Sequence, residues 1–235
     1  MKKIIMAAVI CISAALTLPF MVNKASAKDA DGDVVIVIDP GHGQDDPGSI
    51  ATTTGTYEKD CNLAIAKAMR EELCKYDGVK VYLTRTSDEW MTNTGRAMIA
   101  SALKADFLIS IHNNSGSATN SGCIAYRSLN SYYSEATNDM CSLITENLSS
   151  LGLKNGGVQT RTSTGFDYED YYTLIAEGVR AGIPSISLYT RLVVPDPVIT
   201  ATPFSSTDAT FLSIEYHEIP LVSPEGTESV RPYPF

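Results

Sequence analysis

The stretch Val34–Asp39, VVIVID, constrains this chain more than any other. A strand with one wet face alternates apolar and polar residues; a strand that is apolar throughout must be covered on both faces. Sheets covered on both faces are typically parallel, with helices supplying the cover. Phe107–His112 and Pro184–Tyr189 repeat the pattern. Between these runs, apolar residues recur at helical spacing, as with Leu63, Ile65, Ala66, Met69 and Leu73. The expected fold is α/β: a single domain with a twisted, mostly parallel sheet and helices on both faces.

Local signals give the order of elements. Pro40-Gly41-His42-Gly43 ends the first strand, and the Gly-, Thr- and Asp-rich residues 44–56 read as a loop. A helix is expected over about 58–76, closed by Asp77-Gly78, then a strand at Val79–Thr84, a short helix over 94–104 and the strand Phe107–His112. A further strand is expected at Gly122–Arg127, a helix over about 132–151, a short strand at Gly156–Arg161, and a helix over 170–181 before Pro184–Tyr189. Beyond Tyr189 prolines accumulate and periodicity fades. Thr207–Glu215 reads as one short helix, and 219–235 as an irregular, poorly ordered tail.

Residues 1–27 read as a secretory signal peptide. Lys2 and Lys3 precede an apolar run from Ile4 to Val22, and Ala25-Ser26-Ala27 offers a cleavage pattern. The expected domain spans 28–218, exported to the cell wall or the medium, monomeric, and without a membrane segment once the leader is removed. The formal charge is −9. Losing Lys2, Lys3 and Lys24 and no acid makes it −12, a surface that repels nucleic acid. Export permits disulfides among Cys61, Cys74, Cys123 and Cys141. Cys61 and Cys74 share one expected helix at about 20 Å, too far apart to pair; buried free thiols are the plainer reading.

The chain has three histidines. Two of them, His42 and His112, follow or end expected buried strands. In a parallel sheet, functional groups gather outside the carboxyl ends of the strands. Glu58 opens the helix between them, where a carboxylate also suits the helix dipole. Two imidazoles and a carboxylate would make a three-ligand metal site with one open position. Asn113 and Asn114 offer polar groups to orient it, and Gly41 and Gly43 permit close backbone approach. Asp39 either ends its strand before Pro40 or orients an imidazole. Non-haem iron also uses two histidines and a carboxylate, but Gln44 stands where an acid would then follow His42.

DPGHG (39–43), YEKDCNLAIAKAM (57–69), VYLTRTSD (81–88) and GRAMIASALKADFLISIHNNS (95–115) together resemble the zinc-dependent N-acetylmuramoyl-L-alanine amidases, which are cell-wall hydrolases. The resemblance implies zinc held by His42, Glu58 and His112. It implies peptidoglycan as substrate, cleaved between the lactyl group of N-acetylmuramic acid and L-alanine. It also implies a catalytic Glu at the end of the strand in AGIPSISLYT (181–190), where this chain has Tyr189. No catalytic acid or base is therefore assigned from the sequence; Glu177, Glu215, His217 and Glu218 are candidate substitutes. The alternative to a working amidase is a weakened or inactive amidase-like domain that binds zinc and peptidoglycan.

Overall fold

The computed structural model describes residues 32–51, 55–113, 122–165 and 169–191, together with the backbone of 221–222. The expected signal peptide, the helix at 207–215, and Asn114, Glu215, His217 and Glu218 lie outside the described residues, as does most of the expected tail. Strands are β1 (Val34–Pro40), β2 (Ile50–Ala51), β3 (Val79–Leu83), β4 (Phe107–Asn113), β5 (Gly122–Arg127), β6 (Asn155–Gln159), β7 (Ser185–Arg191) and β8 (Leu221–Val222). Helices are α1 (Glu58–Leu73), α2 (Asn93–Ala102), α3 (Ser134–Ser150) and α4 (Thr173–Arg180).

Six strands form one sheet in the order β3-β1-β4-β7-β5-β6. β3, β1, β4 and β7 run parallel. β5 lies antiparallel to β7, and β6 runs parallel to β5. The reversal follows from chain length. A parallel return needs a crossover of about a dozen residues or more, and only residues 114–121 separate β4 from β5. The remaining sheet strands are joined through helices.

The all-apolar β1 is buried on both faces, as its composition requires. Val34, Ile36 and Ile38 pack with Ile65, Met69 and Leu73 of α1 and with Met140, Ile144 and Leu148 of α3. Val35 and Val37 face Ala97 and Ala100 of α2 and Leu174 of α4. One helix pair thus covers each face. No helix among the described residues is long and apolar enough to cross a membrane.

The structure departs from expectation in local ways. The loop at 44–56 contains β2, which pairs antiparallel with β8 from the stretch expected to be irregular. Such two-residue strands are too short to leave a periodic signature. α4 begins at Thr173 because Tyr172 is extended (φ −84°, ψ 110°), and β7 continues to Arg191. Cys61, Cys74, Cys123 and Cys141 are free thiols. Burial pushes Cys123 up to about 11 and Cys141 up to about 12, so both behave as small apolar side chains.

Gly178 sets how closely α4 approaches the sheet. A Cβ there would stand 2.0 Å from Ser185 Oγ, 3.0 Å from Ser185 Cβ and 3.2 Å from Leu108 Cδ2. Helix propensity alone would favour alanine. Gly178→Ala is nevertheless expected to destabilise by about 1–3 kcal/mol through overpacking, read from urea or thermal unfolding. An unchanged or raised midpoint would contradict the close approach.

Candidate metal centre

Because β1 and β4 are adjacent and parallel, with Pro40 opposite Ile111, the residues after β1 and those ending β4 emerge at the same sheet edge. His42 and His112 meet there. Glu58 joins them because the N-terminus of α1 docks on the loop before it. No side chain caps this helix. Instead, Ser49 O accepts from Glu58 N and Pro47 O from Lys59 N, which satisfies amides that a helix start otherwise leaves open.

Three donor atoms form a nearly equilateral triangle. His112 Nδ1 lies 3.2 Å from His42 Nε2 and 3.1 Å from Glu58 Oε1. His42 Nε2 lies 3.2 Å from Glu58 Oε1. Among the described residues, these three form the cluster able to hold a metal ion. The metal set expected from the sequence is thus brought together.

Each member is held in place. Glu58 Oε1 accepts from Asn113 N at 3.0 Å, and Oε2 from Ser49 N at 2.9 Å. Asn62 Nδ2 donates to Gly41 O at 3.1 Å, while its Oδ1 accepts from Asn113 Nδ2 at 2.8 Å. Thr190 Oγ1 donates to Asn113 Oδ1 at 2.9 Å. His42 Nδ1 bonds Asp46 Oδ2 at 2.8 Å, leaving Nε2 for the cluster. His112 packs against Gly41, where a Cβ would stand 2.3 Å from its Cε1. Asn113 thus meets Glu58 through its backbone amide, while its side chain links Asn62 and Thr190.

Asp39 does not orient an imidazole. Arg96 Nη1 donates to its Oδ1 at 2.7 Å, Thr84 Oγ1 to Oδ1 at 2.6 Å and Ser110 Oγ to Oδ2 at 2.9 Å. Strand alternation turns Asp39 to the α2 face, and the acid that orients His42 is Asp46 in the loop. Sequence reasoning missed Asp46, Arg85 and Arg96. The two arginines hold three successive carbonyls of the His42 turn. Arg85 Nε and Arg96 Nη1 both reach Pro40 O, Arg85 Nη2 reaches Gly41 O, and Arg96 Nη2 reaches His42 O, all at 2.9–3.0 Å. That turn needs support, since His42 and Gln44 have φ of 65° and 51°, values costly for residues with a Cβ. Glu177 stays at the surface, paired with Arg180 at 2.7 Å, and is not brought to the cluster.

Burial opposes charge on His42, but hydrogen bonds to Asp46 and Glu58, and their charges, outweigh it and push the imidazole up to about 10. Burial likewise favours protonated Glu58, but bonds to His112 and His42 hold its carboxyl well below the usual range. The His42 bond lowers Asp46 in the same way.

These features define a class: a single-domain α/β protein carrying an open His-Glu-His cluster at the carboxyl edge of its central strands. The N-acetylmuramoyl-L-alanine amidase family model matches residues 36–187, and the chain belongs to that family. A sporulation-specific N-acetylmuramoyl-L-alanine amidase of Bacillus subtilis is 48% identical over 87 residues, which cover 37% of this chain and 33% of that protein. The uncharacterized protein YqiI of the same species is 34% identical over 143 residues, 60% of this chain and 68% of that one. Among solved structures, the catalytic domain of CwlV, an N-acetylmuramoyl-L-alanine amidase from Bacillus (Paenibacillus) polymyxa var. colistinus, aligns with a TM-score of 0.54 at 28% identity, covering 66% of this chain and 80% of that chain.

Two outcomes test this description. Removing one partner of a buried ion pair strands the other charge, so Arg96→Met should cost roughly 3–5 kcal/mol. Adding Asp39→Asn should recover part of that loss, and strict additivity in a double-mutant cycle would show that the pair does not interact. The second concerns pH. In metal-free protein, raised His42 contributes stability that is complete below its ordinary pKa of 6.5 and lost as pH rises towards about 10. Depressed Glu58 contributes stability present above its ordinary pKa of 4.5 and lost as pH falls through its lowered value. Thermal scans in chelator should therefore show this cluster's stabilisation greatest between pH 4.5 and 6.5. His42→Gln should flatten the alkaline limb; an alkaline limb unchanged by the substitution would contradict the coupling.

Proposed function

We propose that this protein is a zinc-dependent amidase that hydrolyses the bond between N-acetylmuramic acid and L-alanine in peptidoglycan, acting outside the cytoplasm after export. The observation that carries the reading is the triangle of His42 Nε2, His112 Nδ1 and Glu58 Oε1, with edges of 3.1–3.2 Å. Zinc–nitrogen and zinc–oxygen bonds of about 2.0–2.1 Å at tetrahedral angles require donors about 3.3 Å apart. Two imidazoles and one carboxylate are also a donor set typical of hydrolytic zinc, with a fourth position left open. Family membership and the names of the relatives support the choice of bond.

When bound, zinc would polarise the scissile carbonyl and acidify a water. The chain's own residues set the geometry for that chemistry. Asp46 fixes the His42 tautomer that presents Nε2, and Ser49 N and Asn113 N hold the Glu58 carboxylate facing both rings. Among the described residues, Asp46 is the further carboxylate bonded to the cluster, and it stands behind His42 rather than beside the open position. Tyr189 occupies the place where the family resemblance leads one to expect a Glu.

Zinc-loaded protein incubated with purified peptidoglycan should release stem peptides beginning with L-alanine, detected by mass spectrometry, above a His42→Ala control. Binding without release would instead identify an amidase-like domain that holds the wall polymer. Metal analysis should give about one zinc per chain, lost in His112→Ala; stoichiometric zinc in that variant would refute the ligand set.

A further inference from the structure

His42 and His112 are oriented in different ways. A metal-binding histidine ordinarily donates its second ring nitrogen to a carboxylate, a carbonyl or water, which fixes tautomer and ring angle. His42 does so through Asp46. Among the described residues, the ring contacts of His112 to polar atoms all run through Nδ1, on the side of Glu58 and His42.

The sheet supplies the alternative. β4 lies between β1 and β7, so the His112 ring stands in a slot with one wall from each neighbour. On the β1 side, Gly41 leaves no Cβ, and any Cβ would collide with Cε1, Nε2 and Nδ1 of the imidazole at 2.3–2.8 Å. On the β7 side, Tyr189 sits directly across the ladder from His112. The two rings stack with centroids 4.8 Å apart and planes 12° apart. Tyr189 is itself braced. Tyr126 meets it edge-on at 5.6 Å and 86°, and Tyr172 lies tilted at 5.3 Å. Ile175 of α4 packs in the same cluster, and Tyr189 is 8% exposed.

We propose that Tyr189 is a positioning residue for the metal: stacked on His112 opposite Gly41, it holds the imidazole in the orientation that presents Nδ1 to Glu58 and His42, and so sets the affinity of the site for zinc. The inference rests on the reading that the triad holds zinc. It adds that an aromatic ring does for His112 what a hydrogen bond does for His42. The stacked ring carries the effect.

Zinc affinity is measured by competition with a chromophoric chelator for wild type, Tyr189→Phe, Tyr189→Leu, Gly41→Ala and Leu73→Ala, and each is also loaded with cobalt(II) to read the ligand-field spectrum. Tyr189→Phe should match wild type in affinity and spectrum. Tyr189→Leu should bind roughly 10–100-fold more weakly, the usual loss when a group orienting a ligand is removed, and should shift the cobalt bands. Leu73→Ala opens a cavity in the core at the end of α1 opposite Glu58 and should leave both readings unchanged, which separates positioning from general loosening. Wild-type affinity in Tyr189→Leu, or an equal loss in Leu73→Ala, would overturn the proposal. If Tyr189→Leu does not fold, Gly41→Ala decides, since undiminished zinc binding with a Cβ forced against the imidazole would show that the slot does not matter. Absence of zinc binding by wild type would instead defeat the underlying site reading.

Discussion

The arrangement hangs on one buried carboxylate. Glu58 is 6% exposed, and a charge so placed is tolerated only when its oxygens are satisfied and an opposite charge stands nearby. Ser49 N and Asn113 N meet the first need. They do so by fastening the N-terminus of α1 to the loop after β1 and to the end of β4, the segments that carry the two histidines. The second need is met at the rings. Without metal, a proton on His42 balances the carboxylate, which is why the imidazole is pushed up and the carboxyl down. A divalent cation would satisfy the same demand from the centre of the triangle. The site therefore prefers positive charge whichever form it takes.

Around that carboxylate lies a shell that controls backbone rather than side chains. Arg85 and Arg96 spend their donors on the carbonyls of residues 40–42. Asp39 is the acid paired with Arg96, at 2.7 Å, with both side chains almost fully buried. Positive φ at His42 and Gln44 would relax if the turn were free, carrying the imidazole away from Glu58. The arginines make that relaxation cost several hydrogen bonds at once. Lys59 ties the same loop from its other end, donating to Gln44 O at 2.8 Å and Asp88 at 2.6 Å.

What the sequence reveals and what it hides divide along physical lines. Burial on both faces leaves no polar alternation, so β1, β4 and β7 are legible, and parallel order then brings His42 and His112 to one edge. Glu58 is legible because it opens a helix between them. Asp46, Arg85 and Arg96 are not, because their roles come from contacts made by the folded loop and from partners 44–57 residues away. Asp39 shows the limit most clearly. Next to the motif in sequence, it belongs by strand alternation to the opposite face, with Ser110 and Arg96. The antiparallel β5 was open to a length argument on residues 114–121, whereas β2 and β8 are too short to leave a pattern.

The division of labour across the sheet bears on Tyr189. The three donors come from the turn after β1, the start of α1 and the end of β4, and the hydrogen bonds that set their positions lie mostly within that half. β7 contributes Thr190, which reaches Glu58 through Asn113, and Tyr189, whose ring stacks on His112. β7 thus meets the cluster through one polar and one aromatic side chain. A carboxylate at position 189 would offer a base near neutral pH but no stacking surface; a tyrosine offers the surface, while its ordinary pKa near 10 makes it a weak base. With Gly41 on the other side, that surface is one wall of the slot in which the His112 ring stands.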